Sequence, residues 1–337
     1  MKCWVIKAGS QGLEQLVQEE RARPRPAAGQ VLVRVHAASL NYRDQAVVTG
    51  QYFGGVVQRD TIPLSDGAGE VVEVGVGVTR VQSGDRVTGT FFQGWVDGRP
   101  DTPLMALGSP LDGMLAEYVV LDQHGVVALP AHLSYEEGAT LSCAALTAWN
   151  ALMESGTVRA GQTVLALGTG GVSIFALQFA RMAGARVIIT SASDAKLARA
   201  RALGAESGVN YHEHPDWEQE VLRLTAGQGV DHVIEVGGAG TLARSFRSVG
   251  HGGQVSLIGV LAGHEGDTGP HALMLKGARL QGIFVGNRAM FERMNRALEV
   301  NRLHPVVDRV FEFGQAHEAW RYQWERQHFG KIVIRVG

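Results

Sequence analysis

Two textures of apolar and polar positions divide the chain. Up to about residue 122, short alternating runs are punctuated by glycine and proline, and Gln30 to Leu40, Gly67 to Gly75, Asp85 to Phe91 and Ala116 to Asp122 are the clearest strands. Met1 to Gly9 alternates likewise and is too weakly hydrophobic for a signal peptide. This part predicts a twisted β-domain. From Gly161 the apolar runs become continuous and alternate with helical stretches, the pattern of a parallel sheet. Its strands are expected at Thr163 to Leu167, Arg186 to Thr190, Gly208 to Tyr211, His232 to Val236, Gln254 to Gly259 and Leu280 to Gly286, the six of a doubly wound dinucleotide fold. A helix over about Ala289 to Arg302 follows. Val306 to Phe313 and Lys331 to Arg335 then regain the first texture around a helical stretch at Trp320, so the chain is expected to return to its first domain and leave a cleft.

Length and charge narrow the ligand class. The 337 residues suffice for two cores, and 31 Lys and Arg are dispersed among 33 Asp and Glu, offering no basic stripe to nucleic acid or anionic lipid. No apolar run reaches membrane-spanning length, which suggests a cytoplasmic protein with a small neutral or anionic ligand. The two cysteines, Cys3 and Cys143, form neither a disulfide framework nor a CxxC ribbon.

The chemistry is concentrated in TVLALGTGGVSIFALQFA, Thr163 to Ala180, which sets GTGGVS between a buried strand and an amphipathic helix. Gly168 permits the tight turn, and Gly170 removes a Cβ that would block a pyrophosphate. Gly171, Val172 and Ser173 then open the helix with unpaired N–H donors. Ser173 replaces the third glycine of the usual fingerprint. The second strand ends in Thr190, Ser191, Ala192 and Ser193, without the carboxylate that would bind the ribose 2′-OH of NAD. Ser191, Ser193, Lys196 and Tyr211 suit a 2′-phosphate, so NADPH is favoured. Against this, Ser193 and Asp194 can simply cap the next helix, Lys196 can be a solvated charge, and Asp194 can turn back toward a 2′-OH.

Together with this turn, LNYRD (Leu40 to Asp44), LSDGAGEVVEVGVGV (Leu64 to Val78), GDRV (Gly84 to Val87) and LTAWNAL (Leu146 to Leu152) resemble the medium-chain dehydrogenase/reductase superfamily, in its zinc-independent quinone oxidoreductase-like branch. The resemblance implies an α/β protein: a GroES-like β-rich catalytic domain over 1–122 and 287–337, and a Rossmann domain with a doubly wound parallel six-stranded sheet over 123–286. Zinc-bearing relatives place ligands where this chain has Asn41, Ser65 and Cys143, and carry a four-cysteine lobe that is absent here. Asn and Ser are poor zinc donors, which points to loss of the metal. Cys143 also reads as a small core residue, and His212 and His214 as a solvated HxH.

Without a Lewis acid, a saturated ketone lacks support for its developing alkoxide, whereas a quinone or α,β-unsaturated carbonyl spreads the charge. By resemblance, Asn41 lies beside the nicotinamide and donates from its amide, while Tyr52 supplies a proton or hydrogen bond, with Tyr42 a second candidate. Asn41 and Tyr52 also read as turn and loop residues, and water remains a possible general acid. Related quinone reductases carry a tyrosine where Ala46 stands. The resemblance further puts Thr147, Leu261 and Val285 near the nicotinamide ring and lets Lys331 approach the pyrophosphate, although Lys331 also reads as an exposed strand charge. Phe91 to Leu121 is expected first as a structural Ω-like loop, with Trp95 and Met105 alternatively candidates for an acceptor pocket or an oligomer contact. A homodimer is implied, joined through the apolar strands Gly252 to Val260 and Leu280 to Gly286. An NAD(P)-linked alcohol or aldehyde dehydrogenase and a cofactor-binding sensor with little catalysis are the competing readings.

Overall fold

In the computed structural model, which describes every residue except 264, 267 and 268, the alternating run Gln30–Leu40 becomes a central strand of a seven-stranded sheet. Val31, Val33 and Val35 enter the core, while Arg34 points outward and pairs across the ladder with Glu70. The sheet runs in the order Val307–Glu312, Lys331–Arg335, Gln30–Leu40, Asp66–Val74, Arg86–Gly89 and Val126–Ala128, and Tyr118–Asp122 also pairs with Gln30–Leu40. Lys331–Arg335 lies antiparallel to Gln30–Leu40 with Ile332 opposite Leu40. This register carries Lys331 to the start of the helix Tyr42–Val48.

The chain separates into two units, Met1–Leu146 with Gly286–Gly337, and Thr147–Val285. Residues 123–146, grouped above with the second domain, lie in the first unit. The physical reason is pairing: Val126–Ala128 extends the first sheet beside Arg86–Gly89. The helix Tyr135–Gly138, opened by a Ser134/Glu137 capping box, packs on the strands Gln30–Leu40 and Asp66–Val74.

In the second unit the parallel strands run in the order Ser207–Asn210, Arg186–Ser191, Thr163–Ala166, Val230–Glu235, Val249–Leu257 and Arg279–Gly282. Counted along the chain this order is 3-2-1-4-5-6, which places a topological switch point at the carboxyl ends of the central strands. Leu165, Ile188, Val233, Val255 and Phe246 form its core. Of the two strands expected at the subunit edge, Val249–Leu257 is paired on both sides and is internal. Only Arg279–Gly282 is an edge, with all four residues exposed. Among the described residues no helix is long and apolar enough to cross a membrane.

Candidate functional site

The glycine turn sits where the first parallel strand gives way to the helix Gly171–Met182. Gly168 adopts φ +73°, a left-handed conformation that an L side chain occupies only at a cost. Its N–H donates to Thr190 Oγ1 at 3.1 Å, tying the turn to the second strand. Gly170 has an ordinary φ of −79°, and a Cβ built there meets nothing within 4 Å. Open space thus faces the backbone of the turn. Ile174 N–H is the amide that bonds back to Gly170, so the amides of Gly171, Val172 and Ser173 belong to the unpaired first turn. Ser173, at the third glycine position, donates from Oγ to Leu167 O at 2.6 Å and is buried, which fastens helix to strand.

At the end of the second strand Ser191 is buried and its Oγ accepts from Ser193 N–H at 3.3 Å. Ser193 caps the helix Asp194–Ala202 by accepting from Lys196 N–H, so its capping role is realised. Asp194 Oδ1 accepts from Asn210 Nδ2 at 3.0 Å and is thereby directed to the end of the third strand. Tyr211 is partly exposed just beyond Asn210 and packs edge-on against His212. Thr147 is buried in the helix Leu146–Trp149, and Leu261 is partly exposed in the turn after Val249–Leu257, with its N–H on Val236 O. Val285 follows the edge strand with φ +53°, an outlier for a β-branched residue. Asn150 Nδ2 donates to its carbonyl at 2.8 Å and helps to hold that conformation. Strain of this kind clusters at functional positions.

The first unit gathers a buried polar cluster. Lys331, only 3% exposed, donates from Nζ to Leu40 O at 2.6 Å and to Asn41 Oδ1 at 2.5 Å, and lies 3.7 Å from Asp66 Oδ2. Asn41 Nδ2 lies 3.5 Å from Ser65 Oγ. Asp66 Oδ1 accepts from both Ser65 Oγ and Ser142 Oγ at 2.9 Å. Leu64, just before these residues, is a second non-glycine outlier at φ +69°. Burial, reinforced by the carboxylate of Asp66, pushes the Cys143 thiol far above its usual range and keeps it neutral. It adjoins the cluster inside a single π-helical turn, Leu141–Ala145.

Asp44 closes this cluster by accepting Asn41 N–H at 2.7 Å; burial pushes its carboxyl up to about 6, with Arg43 opposing. The buried Arg43 donates to Leu107 O at 2.9 Å and to Ser109 O at 2.5 Å. Its guanidinium lies over the rings of Tyr52 at 4.9 Å and Phe91 at 5.0 Å. Arg43 therefore binds the loop from Phe91 to Leu121 to the helix Tyr42–Val48. Tyr52 is partly buried, and burial raises its phenol above the ordinary range, so it stays protonated through neutral pH. Tyr42, 44% exposed, begins the helix. Trp95 and Val96 accept the N–H groups of Arg288 and Ala289 through their carbonyls, and Met105 pairs in the hairpin of Phe92–Gln93 with Met105–Ala106.

Sequence reasoning passed over Arg43, Asp44, Asp66, Ser142 and Asn150. The one local signal was charge inside otherwise apolar context, as in LSDGAG and the adjacent Arg43 and Asp44.

Comparison with known proteins bears on both units. The model of the alcohol dehydrogenase GroES-like domain matches residues 27–131, and that of zinc-binding dehydrogenase matches residues 171–300. The chain is 44% identical to the zinc-type alcohol dehydrogenase-like protein C1773.06c of Schizosaccharomyces pombe, over 99% of each chain. It is 29% identical to the quinone oxidoreductase of Sus scrofa, over 93% of this chain and 92% of that one. Among solved structures, the putative alcohol dehydrogenase of Sinorhizobium meliloti is 41% identical and superposes with a TM-score of 0.91 over 99% of each chain.

Proposed function

Since the chain belongs to the medium-chain dehydrogenase/reductase superfamily of oxidoreductases, we propose that it is a zinc-independent, NADPH-dependent reductase of quinones or α,β-unsaturated carbonyl compounds. The observation that carries this reading is the buried cluster around Asn41. Where zinc-bearing relatives place ligands, this chain has an amide whose oxygen accepts a hydrogen bond from the Lys331 ammonium, a hydroxyl that donates to Asp66, and Cys143 as the one thiol. Zinc requires thiolate, imidazole or carboxylate donors, and a dication beside a buried ammonium is repelled. These residues do not fit the metal. Among the described residues no group of three or more His, Cys, Asp or Glu side chains offers an alternative.

A conjugated acceptor suits such a site because its negative charge spreads over an enolate or phenolate oxygen, which hydrogen-bond donors can stabilise. Asn41 Nδ2 would donate to that oxygen, and the Tyr52 phenol would donate a proton or a hydrogen bond.

The open cradle at Gly170 and the unpaired amides of Gly171, Val172 and Ser173 fit a pyrophosphate. Ser191, Ser193, Lys196 and Tyr211 are proposed to receive a 2′-phosphate, supported by the placement of Asp194 on Asn210 rather than as a lone carboxylate at the strand tip. Thr147, Leu261 and Val285 are proposed for the nicotinamide end. A reduced nicotinamide, when bound, supplies the hydride. The name of the S. pombe relative supports a second reading, an alcohol or aldehyde dehydrogenase on the same cofactor site.

One assay separates the readings: loss of reduced-nicotinamide absorbance with NADPH and with NADH, against matched quinones, enones and saturated ketones, after chelator treatment. We expect chelator-resistant consumption of NADPH with conjugated acceptors. Turnover confined to saturated carbonyls, or abolished by chelation, overturns the reductase reading and leaves the cofactor site standing.

A further inference from the structure

Lys331 brings a buried ammonium to the polar cluster. Its immediate partners are the carbonyl of Leu40, the side-chain oxygen of Asn41 and, slightly farther away, the carboxylate of Asp66. An ammonium only donates, so the group facing it must accept. An Asn side chain has one accepting and one donating end, and turning it over would press its NH2 against the ammonium in a site with little water. We propose that Lys331 is a positioning residue that fixes the sense of the Asn41 amide, with its oxygen on the ammonium and its NH2 turned away from it on the side of Ser65 Oγ, so that the amide can donate to an oxyanion and cannot accept from an alcohol. This inference rests on the reading of Asn41 as the donor to the acceptor oxygen.

Three features support it. Leu40 O and Asn41 Oδ1 are consecutive acceptors at 2.6 and 2.5 Å, so the ammonium is anchored by two bonds as well as by charge. Asp44 holds the backbone of Asn41 through its N–H within a capping box that also sets the Asn41 side chain against the Asp44 N–H, so the amide oxygen meets donors from both Asp44 and Lys331. Asp66, fixed by Ser65 and Ser142, lies beside the ammonium, so the lysine is not an isolated buried charge. The polarity chosen is the one a reductase needs. A bound reduced nicotinamide would supply the hydride to the β-carbon and be oxidised, the π pair of the conjugated acceptor would move to its carbonyl oxygen, and a proton would return from a donor or from water. During this step the acceptor oxygen gains negative charge, and an N–H directed at it becomes stronger in the transition state than in the ground state.

The test is a double-mutant cycle on the full-length protein, with kcat and KM measured for NADPH and for an enone. We expect Asn41→Ala to lower kcat on the order of 100-fold, as removal of one oxyanion donor does. Lys331→Met should lower kcat by a similar factor with the KM for NADPH unchanged, Lys331→Arg should recover part of the loss, and Lys331→Met added to Asn41→Ala should cost no more than about twofold further. Asn41→Asp, which still accepts from Lys331 and has no N–H, should be as slow as Asn41→Ala. If Lys331→Met does not fold, Lys331→Met with Asp66→Asn leaves no lone buried charge and takes its place in the cycle.

Wild-type kcat in Asn41→Ala overturns the reading of Asn41 itself. A slow Asn41→Ala beside a Lys331→Met of normal kcat overturns the positioning role alone. So does full additivity, or a raised KM for NADPH at normal kcat; the latter would assign the ammonium to the pyrophosphate.

Discussion

Asp44 shows how much depends on a single side chain at this site. Its carboxyl is buried, accepts the N–H of Asn41, and titrates at about 6 in the folded chain against 3.8 for an ordinary aspartate. Because the folded-state value is raised, the fold holds a proton that the unfolded chain has released between about pH 4 and pH 6. The associated stability is fully present below the lower value and is lost as pH rises through 6. A shift of this size corresponds to roughly 3 kcal/mol at most. Asp44→Asn, which can still accept from Asn41, should therefore remove that slope, so that the gap in Tm between variant and wild type narrows as pH is lowered from 7 to 5. Parallel curves would show that Asp44 stays ionised in the fold. Tyr52 carries the companion prediction. Its phenol is protonated at neutral pH, and Tyr52→Phe should lower kcat about 100-fold if it delivers the proton. An unchanged rate assigns the proton to solvent.

At the scale of elements, the strand-turn-helix unit around GTGGVS separates binding from stability. Gly170 has φ −79° and open space where its Cβ would stand, so Gly170→Ala should leave the fold as stable as before, or about 0.5–1 kcal/mol more stable. The same methyl stands in the proposed phosphate cradle and should weaken NADPH binding about tenfold or more, a loss of roughly 1.4 kcal/mol. Gly168→Ala should instead cost stability, about 1 kcal/mol or more, because of its positive φ. Thermal unfolding and a fluorescence titration with NADPH check both, and equal effects on both readouts in Gly170→Ala would remove the case for the cradle. This unit and the six strands around it were legible in the sequence because glycine spacing and apolar period are local properties. The seven-stranded sheet was legible only in pieces: Gln30–Leu40 and Lys331–Arg335 fall where the pattern puts them. The contact they create between Asn41 and Lys331, 290 residues apart, is a product of register and leaves no mark on either segment. Arg43 and Asp44 were hidden for a different reason. Adjacent opposite charges on a short helix look solvated until the loop carbonyls of Leu107 and Ser109 and the ring of Tyr52 cover them.

For the molecule as a whole, the question the second unit raises is what covers the strand Arg279–Gly282. Every residue of this edge is exposed, and apolar side chains flank it: Leu280 is 42% and Phe284 46% exposed, and Met274 is 67%. An unprotected edge strand with apolar neighbours is a template for further pairing, and natural proteins ordinarily block it with charge, proline or a partner. Arg279 and Gln281 are the polar side chains on the strand itself, which is sparse protection for an edge of this kind. Pairing with the same strand of a second copy would satisfy the free backbone groups and bury the apolar flank in one step, through a two-fold contact in which each strand meets itself. We therefore expect a homodimer, with light scattering at micromolar concentration giving twice the 36.1 kDa of the chain. A stable contact of this kind buries about 1,200–2,000 Å². Leu280→Lys with Phe284→Lys would bring like charges together across the axis and should yield a folded monomer. Because the proposed phosphate cradle follows the central strand Thr163–Ala166, with two strands between that strand and this edge, NADPH binding should survive in that monomer. A wild-type chain that is already monomeric, or a charged variant that remains dimeric, would mean that the edge is not the subunit contact.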